Sequence, residues 1–325
     1  MKIGICYDLR DHYLNEGYSE EETAEFDRES TIEALETAIS DNGHKPERIG
    51  NIKQLVSELA KGNRWDMVFN ICEGLHGQYS RESQVPALLD AYKIPYTFSE
   101  PLIMSVSLKK DITKIILKEF GIKTPDFYLI NNEADIFKKN LPFPLFVKPV
   151  AEGTSKGVTD KSRVNTKKEL EETAKQLLVK FKQPVLVETF CTGREFTTGL
   201  VGTGKDAIYA GALEIVLLDG AEQNAYSYIN KERCEELVDY RLVTDKQLNK
   251  SLEDLSLKIW SILECRDAGR IDFMMDSSGE LSFIEINPLA GMHPTHSDLP
   301  ILWGKIGKEY KDLIKLIIDS VAKRS

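Results

Sequence analysis

The sequence predicts an N-terminal α/β unit built on an open, mostly parallel sheet, followed by an α+β region in two lobes. Three observations carry this. Strand and helix signals alternate through the first hundred residues, as βαβ units require. After Ser99-Glu100-Pro101 the rhythm changes to shorter helices and hairpin-like strands. The 325 residues, 42% hydrophobic and 29% charged, have the composition of a globular chain with room for two or three domains. The expected boundaries divide the chain into 1–99, 100–184 and 185–325.

The elements follow in order. Lys2 to Tyr7 is a short buried-strand run. Ser19 with Glu22 has the form of a capping box, which predicts a helix carrying Ile32, Leu35 and Ile39 and ending at Gly43. A strand ends at Ile49, and Asn51 then caps a helix with Ile52, Leu55, Val56, Leu59 and Ala60 on one face, stopped at Gly62. Met67 to Ile71 is another strand, Val85 to Tyr92 an amphipathic helix, and Ile94 to Thr97 an edge strand. In the second part, a helix near Ile112 to Phe120 closes at Gly121 and a strand covers Leu145 to Pro149. A helix runs from Thr166 to Phe181 before the strand Val185 to Glu188. A long helix passes through Leu252, Leu255, Ile259 and Ile262, and Tyr310 to Val321 has helical apolar spacing at the end.

Composition excludes several function classes. A formal net charge of −10 with no Lys/Arg cluster argues against a nucleic-acid partner. No apolar run reaches the ~20 residues of a membrane span, and the first residues read as a strand rather than a signal peptide, so a cytoplasmic location is expected. The five cysteines are scattered and show neither disulfide nor zinc spacing, which predicts reduced packing residues. Among the five histidines only His293 and His296 are close, in a loop around Pro294, and a transition-metal site is not expected.

Three constellations can carry chemistry. Gly269 to Met275, a turn over Asp276-Ser277-Ser278-Gly279, and Leu281 to Asn287 form a hairpin. Period-two alternation puts Arg270, Asp272 and Met274 on one face, and Phe283, Glu285 and Asn287 on one face of the partner strand. Asp272, Glu285 and Asn287 then offer converging oxygens suited to Mg²⁺, although alternating charge on a strand is also an ordinary solvated face. The second is Lys148 inside a buried strand, followed by Glu152-Gly153-Thr154-Ser155-Lys156-Gly157-Val158. A buried lysine needs an anion, and the small-residue loop offers N–H groups, so the pair reads as a phosphate grip with a mobile lid, or as an edge-strand lysine beside a polar loop. The third is Glu188 and Glu195 flanking Phe190, Cys191 and Gly193, a hinge with two acceptors suited to an adenine amino group and ribose hydroxyls, or two surface glutamates.

Taken in order, Lys110, Lys148, the 152–158 loop, Glu188 with Glu195, Lys231, Arg270, Asp272, Glu285 and Asn287 resemble the ATP-grasp superfamily, specifically the D-alanine–D-alanine ligases. The resemblance runs from about Met67 to Pro300. It implies a pre-ATP-grasp domain followed by a two-lobed ATP-grasp fold. It also implies that Lys110, Lys148 and Lys231 hold ATP phosphates, that the hinge at Glu188 reads adenine, that Glu195 takes the ribose, and that Ser155, Phe190 and Met274 also contact the nucleotide. Asp272, Glu285 and Asn287 would bind two Mg²⁺, with Mn²⁺ an acceptable substitute. Arg270 and the Gly291 N–H match the oxyanion hole, and Ser297 the contact to the acceptor carboxylate. Thr154 falls on the family's loop serine, while His76 and Ile94 to Thr97 match substrate-side segments. The implied reaction is ADP-forming: a small carboxylate attacks ATP to give an acylphosphate, and an amine then displaces phosphate. The family also suggests a homodimer. Neighbouring alternatives are a related ligase joining another amino acid or small carboxylic acid to an amine, and a non-catalytic ATP-binding regulator. A dinucleotide oxidoreductase would need glycines where Tyr7-Asp8-Leu9-Arg10 stands.

The pattern departs from the family on the substrate side. The amine-binding carboxylate is expected at Glu25, with Asp27 its rival. Glu232 stands where the family has tyrosine, Pro288-Leu289-Ala290-Gly291-Met292 replaces Thr-x-Pro-Gly-Met, and Asp298 replaces a leucine. These changes predict an altered pocket in which D-alanine is a poor substrate and Asp298 favours a cationic acceptor.

Overall fold

The computed structural model describes residues 1–74 and 78–324; the expected substrate residue His76 lies outside them. Strands β1 (Lys2–Cys6), β2 (Lys45–Gly50) and β3 (Met67–Asn70) form a parallel sheet in the order β2-β1-β3. A parallel sheet must be covered on both faces. Ile3, Ile5, Met67 and Phe69 point to one side, against the helix Glu29–Asp41 and the C-terminal helix Tyr310–Arg324. On the other side Cys6, Ile49 and Val68 meet the helices Ile52–Ala60 and Gln84–Tyr92. Gly4 faces this second layer, where a Cβ would stand 2.3 Å from the Ile49 side chain.

Two local expectations change. The Ser19–Glu22 box forms, with Ser19 N–H donating to Glu22 Oε2 at 2.9 Å, but it closes a turn, and the helix starts at Glu29 after Arg28. The stretch Ile94 to Thr97 makes a single parallel bridge, Val68 to Tyr96, rather than a strand. Pro95 has no N–H to extend the ladder.

The rest of the chain contains two antiparallel sheets. The first has the order β4-β7-β5-β6, from β4 (Phe127–Ile130), β5 (Leu145–Pro149), β6 (Arg163–Val164) and β7 (Val185–Thr189). The helix Lys167–Phe181 packs on it through Leu170, Ala174 and Leu177, its start fixed by the Thr166 hydroxyl accepting from Glu169 N–H. The second has the order β10-β9-β8-β11-β12, from β8 (Glu195–Val201), β9 (Ile208–Leu217), β10 (Val238–Leu242), β11 (Ala268–Met275) and β12 (Leu281–Asn287). The helix Lys246–Ile262 buries Leu252, Ile259 and Trp260 against this sheet. Residues 190–194 pass from one sheet to the other. β7 pairs with β4 and β5, so the strand that opens the expected 185–325 segment lies in the first of these sheets.

The β11–β12 hairpin forms with Arg270 opposite Asn287 and Asp272 opposite Glu285. A bulge follows: Phe273 pairs with Phe283, leaving Ile284 as the extra residue. The bulge reverses the expected alternation. Phe283 joins the core with Ile271 and Phe273 instead of sharing a face with Glu285 and Asn287, and Ile284 reaches the cleft between the sheets.

The hairpin is seated on Trp260 through Gly269, where a Cβ would lie 2.8 Å from the indole ring and 2.7 Å from the Asn287 carbonyl oxygen. Gly269→Ala is therefore expected to cost about 1–3 kcal/mol by overpacking, read as a lower denaturant midpoint with unchanged slope.

Candidate active site

Two cavities meet in the middle of the chain's fold. The first lies between the antiparallel sheets. Phe146 and Lys148 on β5, Glu188 on β7, Phe190 in the passage, Glu195 on β8 and Met274 on β11 line it, with Ile284, Ser155 and Lys156. Its apolar part is flat: the Phe146 and Phe190 rings are 6.2 Å apart and nearly parallel, and the Arg163 guanidinium covers Phe190 at 4.7 Å. The second cavity opens toward the parallel sheet and is lined by Asp27, Glu73, Glu82, Thr154, Arg270, Gly291, Ser297 and Asp298, among others. Lys110, Lys231, Glu285 and Tyr226 line both.

Burial makes the charges in this seam interdependent. Lys148 is 6% exposed and its Nζ lies 3.0 Å from Glu188 Oε2, so the buried-strand lysine already has an anion. Glu188 also receives Lys114 at 2.6 Å. Burial raises the Glu188 carboxyl, but Lys114 and Lys148 outweigh it and hold the group below the usual range. Its expected free acceptor toward adenine is thus shared with two lysines. Lys114, fully buried and also donating to the Thr124 hydroxyl at 2.8 Å, escaped the sequence reading. Its spacing of four from Lys110 was the available signal, since both then share a helix face.

Lys110 donates to the Glu152 carbonyl oxygen at 2.6 Å and lies 3.4 Å from Glu285 Oε2. Burial pushes Glu285 up, yet Lys110, Lys148, Lys231 and Arg270 together hold it well below the ordinary carboxylate range. Asp272 behaves oppositely: burial and Glu285 outweigh Arg270 and raise it. Burial, then Asp272, pushes Glu195 up to about 7. Three carboxylates and the Asn287 amide, 3.3 Å from Asp272 Oδ2, thus crowd one end of the seam. Two facing carboxylates, Asp272 buried and Glu285 partly so, beside an amide are a hard-oxygen set that fits a divalent cation such as Mg²⁺.

The 152–157 loop is tied down from three sides. Glu25 accepts from Gly153 N–H at 2.6 Å, from Arg81 at 2.8 Å and from Lys156 at 2.6 Å. Ser155 Oγ donates to the Tyr226 carbonyl oxygen at 2.8 Å, and Thr154 and Ser155 both adopt positive φ. The Gly153 N–H, expected to await phosphate, is therefore already partnered, and Glu25 is occupied by the loop. Asp27, its rival, lines the second cavity, and burial followed by the neighbouring Asp8 pushes it up to about 8.

Arg270 is clamped. It donates to Asp298 Oδ2 at 2.5 Å, to Asp272 Oδ1 at 3.2 Å and to the Thr197 hydroxyl at 3.0 Å. Asp298 is 7% exposed, so its charge is answered from within. Glu232 likewise pairs with Arg10 at 3.1 Å. The expectation that Asp298 awaits a cationic acceptor is corrected, since it, like Glu232, already has an arginine partner. Gly291 and Ser297 lie together at the cavity wall, where Ser297 Oγ accepts from His293 N–H at 3.0 Å and a Cβ on Gly291 would approach that oxygen to 2.7 Å. Among the described residues Lys231 makes no ion pair; its ammonium lies 4.8 Å from the Tyr226 ring centre. No helix among the described residues is long and apolar enough to cross a membrane.

Residues 116–319 match the family described as D-ala D-ala ligase C-terminus. A D-alanine–D-alanine ligase of Aquifex aeolicus is 35% identical over 289 residues, covering 89% of this chain and 93% of its own. One from Bordetella petrii is 31% identical over 274 residues, 83% of this chain and 80% of its own. The fold matches a D-alanine–D-alanine ligase from Bacillus anthracis complexed with ATP, with TM-score 0.73, 22% identity, and 100% and 98% of the two chains covered. It also matches the VanG D-Ala:D-Ser ligase of Enterococcus faecalis, with TM-score 0.74, 20% identity, and 98% and 99% covered. With the two cavities meeting at Lys110, Lys231 and Glu285, and these relatives along nearly its whole length, the chain belongs to the D-alanine–D-alanine ligase family of ATP-grasp carbon–nitrogen ligases.

Proposed function

We propose that the chain joins two amino acids in an ATP-dependent, ADP-forming reaction of the D-alanine–D-alanine ligase type. The observation that carries this is the shared wall of the two cavities: a nucleotide in the first and a carboxylate in the second would meet at Lys110, Lys231, Glu285 and Tyr226, the first three of which carry charge. Of the three expected units, 1–99 serves the first substrate in this reading, 100–184 together with β7 forms one wall of the nucleotide cleft, and the rest of 185–325 forms the other. The setting is cytoplasmic and the assembly a homodimer.

In this reading the flat slot at Phe146, Phe190 and Met274 takes the base and Glu195 the ribose. Lys148, Lys110 and Lys231 face the phosphates, with Ser155 at the loop. Asp272, Glu285 and Asn287 would hold the divalent ions, two in number, which when bound screen charge on the phosphate oxygens. The first substrate's carboxylate displaces ADP from the γ-phosphorus, and Lys110 and Lys231 favour the charge that spreads over the transferring group. The amine of the second substrate then attacks the acyl carbon, phosphate leaves, and the amine's proton passes to solvent. Arg270 and the Gly291 N–H receive the developing oxyanion, and Ser297 contacts the acceptor's carboxylate. Thr154 closes over the first substrate, and the Glu25-bound loop excludes water from the acylphosphate. Asp27 takes the first substrate's amine, because Glu25 is committed to the loop. Asp298 keeps Arg270 aimed.

One observation favours a second reading, in which the first amino acid carries an additional amino group. Glu73 and Glu82 line the same cavity as Asp27, and burial followed by neighbouring carboxylates raises Glu73 well above the usual range. Burial likewise pushes Glu82 up to about 7 despite Arg81 at 3.7 Å. Incubating ATP with pairs of D-alanine and diamino acids, and reading ADP release and product mass, separates the two readings. D-alanine dipeptide as the dominant product supports the first.

Glu285→Gln should abolish ADP formation while leaving the melting temperature within a few degrees, because an amide cannot supply the charge of the carboxylate that would hold the divalent ions. Near-normal turnover would rule out the metal assignment.

Asp298→Asn should lower kcat by up to about 10²-fold, with the KM for ATP unchanged, by freeing Arg270 to shift. A changed preference among amines at normal kcat would return Asp298 to the substrate.

Asp27→Asn should raise the KM for the first amino acid. Its stability effect has a definite sign. The folded carboxyl titrates near 8 against ~3.9 unfolded, so the folded chain binds the extra proton and loses stability as pH rises from about 4 to 8. The variant lacks that loss, and its melting temperature relative to the native chain should climb across this window; a constant difference would contradict the assignment.

A further inference from the structure

We propose that Cys234, Glu235 and His296 form a binding site for a soft divalent cation, Zn²⁺ above all, on the rim of the substrate cavity. Cys234 Sγ lies 3.5 Å from His296 Nδ1, and the same nitrogen lies 3.0 Å from Glu235 Oε1. The three ligand atoms are all within 4.8 Å of one another. Tetrahedral zinc, with bonds of about 2.3 Å to sulfur and about 2.0–2.1 Å to nitrogen, sets those two atoms roughly 3.5 Å apart, the spacing seen here. Thiolate and imidazole select zinc-like ions over Mg²⁺, so this site and the all-oxygen set at Asp272, Glu285 and Asn287 would take different metals.

The supports are rigid on one side and open on the other. Cys234 is 1% exposed and begins the helix Cys234–Leu237, while the side chains of His296 and Glu235 are 20% and 59% exposed, which leaves an entry path. The sequence hides the site because Cys234 and His296 are 62 residues apart. His296 lines the substrate cavity, next to Ser297, and Cys234 stands three residues after Lys231. A bound ion would join the segment carrying Lys231 to the loop carrying Ser297, so occupation should inhibit the ligase; this consequence alone rests on the proposed function.

The test uses the whole chain, freed of metal and titrated with Co²⁺. One equivalent should bind with a near-ultraviolet thiolate-to-cobalt band, and Zn²⁺ should bleach it. Cys234→Ser should lose the band, and Glu235→Gln, altered at an exposed position, should weaken Co²⁺ by about tenfold or more while keeping it. Zn²⁺ inhibition should persist under excess Mg²⁺ and vanish in Cys234→Ser. Co²⁺ binding without a sulfur band, or with unchanged affinity in both variants, would overturn the site and leave His296 and Glu235 as a plain hydrogen-bonded pair. Should Cys234→Ser not fold, the band and the Glu235→Gln affinity decide. A chain that shows the band yet forms no ADP would refute the ligase reading and leave the metal site standing.

Discussion

Glu188 between Lys114 and Lys148 is the interaction on which the centre of the structure depends. Three charges are buried within two ion pairs of 2.6 and 3.0 Å, at the point where β5 and β7 meet the helix that begins at Lys110. Each ion taken from water alone would cost several kcal/mol, so none of the three is tolerable without the others. The same logic extends along the seam, to Lys110 on Glu285 and to Arg270 between Asp272 and Asp298. These pairs align the two antiparallel sheets and leave Lys231, unpaired among the described residues, facing both cavities.

On the substrate side the same constraint changes what the departures from the family mean. Asp298 and Glu232 replace uncharged residues, and an unpaired buried carboxylate would demand a cationic ligand. Both instead meet arginines of this chain, Arg270 and Arg10. The substitutions thus read as internal compensation. Asp27 and Glu73, which make no ion pair among the described residues, line the same cavity, and the proposed function places selectivity there, at the first substrate's end.

Much of this was legible in the sequence because it follows period and order. The hairpin register that sets Asp272 against Glu285 follows from alternation, and β5, ending in Lys148-Pro149, has its predicted limits. What was not legible depends on contacts between distant segments. Glu25 looks like a free carboxylate until Arg81, Lys156 and Gly153 fold around it. The bulge at Ile284 has no signal in composition, yet it decides that Phe283 enters the core. Lys114 reads as one more helix-surface lysine until β7 brings Glu188 to it.

In the proposed function a carboxylate and ATP react at the wall the cavities share. The most direct measurement follows oxygen: a first amino acid labelled with ¹⁸O in its carboxyl group is turned over with ATP, and the released inorganic phosphate is read by mass or by its ³¹P shift. Activation as an acylphosphate predicts ADP together with phosphate carrying one ¹⁸O from the substrate. Phosphate free of label, or AMP and pyrophosphate in place of ADP, would contradict it.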